Sequence, residues 1–158
     1  MAKNSISSLK EYPFVDTLSK EYQIYWKFKS FIDELNKKDL PENDIIYINN
    51  VINSINNFRG NEKEYSKYLK KALKTIALKL AKELKIVPKK YYQTYWMILG
   101  IGIFGTIFGV VFGIAINNMG MIGIGLPIGL ALGAGLGANE DKKALSEGRQ
   151  LDIELDLF

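Results

Sequence analysis

From Tyr91 to Asn139 the chain carries no Asp, Glu, Lys or Arg, a run of 49 residues that also holds 12 of the 14 glycines. No other feature limits the fold so severely. A bilayer core takes about 20 apolar helical residues per crossing, so this run is long enough to cross twice. Asn117-Asn118 supplies the polar break, and Gly120 follows closely. The predicted spans are 96–116 and 119–138, antiparallel helices about 30 Å long at ~1.5 Å per residue, joined by a very short turn. Pro127 lies within the second span and predicts a kink there. Packed instead as a soluble hairpin, both spans would need an apolar cover that a chain of 158 residues cannot supply.

Charge is dense on either side of the run. Residues 1–90 carry 18 basic and 11 acidic groups, and residues 139–158 carry 3 and 6. Lys89 and Lys90 precede the first span, Lys142, Lys143 and Arg149 follow the second, and the turn has no charge. Basic flanks stay inside, so both termini are expected in the cytoplasm. Tyr91, Tyr92, Tyr95 and Trp96 form an aromatic collar at the inner interface. Lys3 and Lys10 are followed by no apolar stretch of the signal-peptide kind, so no cleaved leader is expected.

The glycines are patterned. Gly105, Gly109 and Gly113 recur every four residues in the first span, and Gly125, Gly129, Gly133 and Gly137 do so in the second. Residues four apart share a helix face, so each span carries a smooth groove that permits close backbone approach in lipid. Two packings are open: the grooves face each other within one hairpin, or copies associate through them. Further small positions, Gly100, Gly102, Gly123, Ala131, Ala134 and Gly135, favour a homo-oligomer. Phe104, Phe108 and Phe112 form a ridge one residue before each glycine of the first groove, directed at lipid or at a neighbour's groove.

The block from Tyr95 to Leu151, with its two glycine-repeat helices, Asn-containing turn and Asp141-Lys142-Lys143 exit, resembles small bacterial two-span glycine-zipper membrane proteins. The resemblance covers about the last 60 residues and implies a location in the bacterial inner membrane. A cytosolic sensor joined to a short helical hairpin is also similar to membrane channel effectors of antiphage defence systems. That similarity implies a channel controlled by a nucleotide or oligonucleotide signal.

Residues 1–90 predict a cytosolic domain of three amphipathic helices, giving an all-α chain. The first runs from near Asp16 to Lys37, with Leu18, Tyr22, Tyr25, Phe28, Ile32 and Leu35 at helical spacing. Asp39 and Pro41 mark a break. The second carries Ile45, Ile48, Val51, Ile52, Ile55 and Phe58 on one face and asparagines on the other. Asn61 and Glu64 make a capping-box start for the third, which Pro88 ends or kinks into the first span. That third helix and its exit are strongly basic: Lys63, Lys67, Lys70, Lys71, Lys74, Lys79, Lys82, Lys85, Lys89 and Lys90. Such a row is a solvated face, a contact for anionic lipid, or a site for a nucleotide or single-stranded nucleic acid with Tyr65, Tyr68, Tyr91 and Tyr92 as stacking faces.

Helix is expected to continue from the second span to Gly148. From Leu151 to Leu157 apolar and acidic residues alternate, which is a strand period. The segment is then a disordered tail, a strand added to a sheet edge or to its own copy, or a contact for a cytosolic protein. With no Cys and no His, thiolate chemistry, Cys/His zinc sites and histidine dyads are excluded. No catalytic, metal or cofactor motif stands out, and no enzyme is expected. Two functions remain. The preferred one is an oligomeric channel with mouths at Asn117, Asn118, Glu140 and Asp141, because an anchor needs neither two zippers nor so side-chain-poor a second span; the alternative is a non-conducting anchor that presents the helical domain and acidic tail.

Overall fold

The computed structural model describes residues 5–14 and 18–158. These are mostly helical, with one two-stranded parallel sheet that the all-α expectation did not include. The chain divides after Leu84 into two compact units.

The first unit holds α1 (Lys20–Asn36), α2 (Glu42–Asn56) and α3 (Glu62–Glu83). Ser19 caps α1 by accepting the Tyr22 N–H. The expected start near Asp16 lies outside the described residues, and Leu18 falls ahead of the cap and is 92% exposed instead of in the core. Asn61 and Glu64 form the capping box, each side chain accepting the other's backbone N–H. The apolar stripes meet in a core of Phe28, Phe31, Leu35, Ile48, Ile52, Ile55, Leu69, Ile76 and Leu80, each no more than 1% exposed. Asp44 is buried on α2, and its carboxylate accepts from the Lys79 ammonium on α3 at 2.5 Å. Ahead of α1, Tyr12 sits edge-on among Phe14, Tyr22 and Tyr65. Burial first, and then its hydrogen bond to Glu62, pushes the Tyr12 hydroxyl up to about 12.

In the second unit, β1 (Val87–Lys89) leads into a long apolar helix built of α4 (Tyr91–Gly100), a π-helical turn (Ile101–Gly105) and α5 (Thr106–Ala115). A 3-10 segment (Met119–Ile124) and α6 (Gly125–Ser146) return, and β2 (Gln150–Glu154) closes the unit. Tyr91–Ala115 and Ile122–Ser146 are each long and apolar enough to cross a membrane. Pro88 neither ends nor kinks α3, which stops at Glu83, with Lys85 in the left-handed region at φ 55°; Pro88 is buried in β1. Pro127, expected to kink the second span, lies in α6. It falls in the first turn, two residues after the 3-10 segment gives way to α-helix, so the irregularity of the second span is a change of pitch just ahead of the proline.

Candidate functional site: a glycine seam with a clamped base

The two apolar helices meet backbone to backbone. A methyl group added at Gly100, Gly109, Gly125, Gly129, Gly133 or Gly137 would lie within 3.0 Å of the opposing main chain. At Gly105 it would meet the Gly125 carbonyl and Leu126 Cα at 3.3 Å. Gly125 faces Gly105 and Gly109, Gly129 faces Gly100 and Gly105, Gly133 faces Trp96, and Gly137 faces Tyr92 and Gln93. Gly113 is buried near the turn. Within this chain the repeats therefore pack against each other.

Gly100, expected as a spare position for a neighbouring copy, belongs to this seam. It precedes Gly105 by five residues, a spacing that an α-helix would rotate off the face. The π turn over Ile101–Gly105 takes up one extra residue and restores alignment. The Thr106 hydroxyl, at the end of that turn, donates to the Gly102 carbonyl at 2.8 Å. Gly102, Gly123 and Gly135 have no heavy atom within 4 Å of an added methyl and lie on open surface.

Asn117 and Asn118 form the turn. Asn117 takes the left-handed conformation (φ 53°), and the two amides donate back to the Ile114 and Gly113 carbonyls, which is a Schellman end for α5. The Asn118 side chain then accepts the Gly120 N–H at 3.0 Å and starts the 3-10 segment. Their chemistry is that of a helix stop and a helix start.

At the opposite end lies a polar base. Asp141, expected at an open pore mouth, is buried, and its carboxylate accepts the Tyr92 and Gln93 N–H groups at 3.1 and 2.9 Å. It thus caps α4 from α6, since Lys90 in the N-cap position makes no side-chain cap of its own. Glu140 stays exposed. Beyond α6, Gly148 (φ 69°) completes a second Schellman end, with Arg149 N–H to Ala144 and Gly148 N–H to Leu145, and reverses the chain. β2 then runs parallel to β1, Val87 opposite Gln150 and Pro88 opposite Leu151.

The segment expected foremost as a disordered tail is therefore a strand. Leu151 and Leu157 are buried, and Phe158 returns to the collar rings of Tyr91 and Tyr95 at 5.2 and 5.8 Å. Its acidic row pairs with the chain's own entry lysines, Asp152 with Lys89 and Glu154 with Lys90 at 2.8 Å. Arg149 donates to the Lys85 carbonyl at 2.8 Å and pairs with Glu147, whose carboxyl it holds below the usual range.

The basic row on α3 belongs to the first unit. Lys63, Lys67, Lys70, Lys71, Lys74 and Lys82 are exposed, whereas Lys79 is taken up by Asp44 and Glu83. Tyr65 offers no open ring: it is 4% exposed, packed on Phe14 and Phe58, and burial pushes its hydroxyl up to about 12. Tyr68 is half-buried and stacks on Phe58 at 5.5 Å beside Arg59, Lys67 and Lys71. Lys85, Lys89 and Lys90 are exposed in the second unit.

No protein-family model, no curated protein and no solved structure matches the chain.

Proposed function

We propose that the chain is an integral protein of the bacterial inner membrane, a self-packed hairpin that anchors a basic helical unit at the cytoplasmic face, with both termini inside. One observation carries this reading: the seam consumes the zipper glycines, while the outward side chains remain an apolar coat. Ile103, Ile107, Val111, Ile114, Leu132 and Leu136 are all 44–64% exposed. Water disfavours so large an apolar surface and lipid solvates it. From Tyr91 to Asn139 there is no Asp, Glu, Lys, Arg or His, which argues against ion-coupled transport. The role is non-enzymatic. The resemblance to two-span glycine-zipper proteins accords with it.

A second reading is an oligomeric channel of the antiphage-effector kind, gated by a nucleotide or single-stranded nucleic acid on the basic face. It is favoured by Gly102, Gly123 and Gly135, small outward positions against which a neighbouring copy can pack. Because the chain has no native cysteine, single cysteines report topology directly. Cysteine at Asn118 should react with an impermeant thiol reagent from outside whole cells, and cysteine at Phe158 only after lysis. Release of the protein by carbonate extraction would overturn the anchor. Ion leakage from liposomes holding the purified chain separates the readings: sealed vesicles fit the anchor and leaking ones the channel.

A further inference from the structure

Residues 5–12 of the first unit belong to no helix or strand, yet their main chain is gripped at regular intervals by asparagines. The Asn49 side chain accepts the Ser7 N–H at 2.6 Å and donates to the Ser5 carbonyl at 3.5 Å. Asn56 repeats the pattern, accepting the Lys10 N–H at 2.9 Å and donating to the Ser8 carbonyl at 3.2 Å. Each amide brackets one residue, Ile6 and then Leu9, as a neighbouring strand would. Asn36 accepts the Ile6 N–H at 3.2 Å, and the Tyr25 hydroxyl donates to the Lys10 carbonyl at 3.0 Å.

The spacing is matched. Asn49 and Asn56 are seven residues apart on α2, a rise of about 10.5 Å. Ile6 and Leu9 are three residues apart on an extended chain, about 10 Å. Contacts to main-chain groups hold an extended peptide whatever its side chains. Selectivity then falls to the buried Ile6 and to Tyr12 in its aromatic cluster.

We propose that the α1–α2 surface is a receptor groove for an extended peptide, loaded in cis by the chain's own arm and loadable in trans by the arm of a second copy. The arm is the ligand whose fit is on display, and a second copy carries the same segment. It is held by side-chain hydrogen bonds, the buried Ile6 and the Tyr12 ring, whose hydroxyl donates to Glu62, so its release breaks no helix or strand but must break these contacts. The inference concerns the first unit and does not rest on the membrane reading.

The cysteine-free background permits a direct test on the full chain. Ser7→Cys and Asn49→Cys are placed in separate copies, which are mixed and oxidised; a third protein carries both changes. Expected are closure within the doubly substituted chain and disulfide-linked dimers in the mixture. Those dimers should fall several-fold when the Ser7→Cys copy also carries Ile6→Asp, or when a synthetic peptide copying residues 5–14 is in excess. Absent dimers, or dimers indifferent to both Ile6→Asp and the peptide, overturn exchange in trans. Failure of the double variant to close overturns the docking itself. These cross-links score independently of carbonate extraction, so this proposal and the membrane anchor can fail separately.

Discussion

The Asp141 carboxylate lies near the C-terminal end of α6 and satisfies the first turn of α4. Two N–H groups of α4 that would otherwise lack partners end on its oxygens, and the side chain is buried there. Removing an acceptor from buried donors costs about 1–3 kcal/mol. Asp141→Ala should therefore lower the thermal midpoint of the detergent-purified protein, and Asp141→Asn, which keeps one acceptor oxygen, should lower it less. A wild-type midpoint for Asp141→Ala would show that the cap carries no stability. Sequence alone gives an acidic residue beyond an apolar span, and placing it at a mouth is the ordinary reading of that position. Its partners are 48 and 49 residues away, so no local pattern announces the cap. Asn117 differs, because an asparagine pair between two apolar runs is itself the local chemistry of a helix end.

The hairpin is held by contact between surfaces without side chains, and the glycines on it are not equivalent. A methyl at Gly129 would press on the Gly100 carbonyl and on Gly105 N and Cα, none of which can rotate away. A methyl at Gly135 meets nothing. Gly129→Ala should destabilise the hairpin by about 1–3 kcal/mol through overpacking. Gly135→Ala should be neutral or gain up to about 1 kcal/mol from helix propensity. Unfolding midpoints in mixed micelles read both, and equal effects would remove the seam. The four-residue repeats made most of this interface legible, since i and i+4 share a face. Gly100 escaped because its alignment depends on a π turn, and a five-residue spacing carries no signal until the other helix is in place. The same holds for β2: its alternation reads as a strand, but its partner β1 is three residues long and sits on the far side of the hairpin in sequence.

Across the whole molecule charge is partitioned: +7 over residues 1–90, none over the apolar run, and −3 over the last 20 residues. In the second unit much of the acid is neutralised locally, by Lys89, Lys90 and Arg149. The exposed lysines of α3 are then a main positive surface among the described residues, and with Tyr65 inside the core the half-buried Tyr68 is the candidate ring of α3 left beside them for stacking nucleic acid. Anionic lipid attracts such a row by about 1 kcal/mol per nearby lysine. A fluorophore on Thr75→Cys, an exposed position of α3, should shift to shorter wavelength in nanodiscs of anionic lipid but not of zwitterionic lipid. The shift should vanish when Lys67, Lys70, Lys71 and Lys74 are changed to Glu, and in ~1 M salt, where the screening length falls to about 3 Å. Identical emission in the two lipids would remove the lipid contact. A shift produced in zwitterionic discs by a single-stranded oligonucleotide would instead assign the row to a polyanion and restore the gated channel as the leading function.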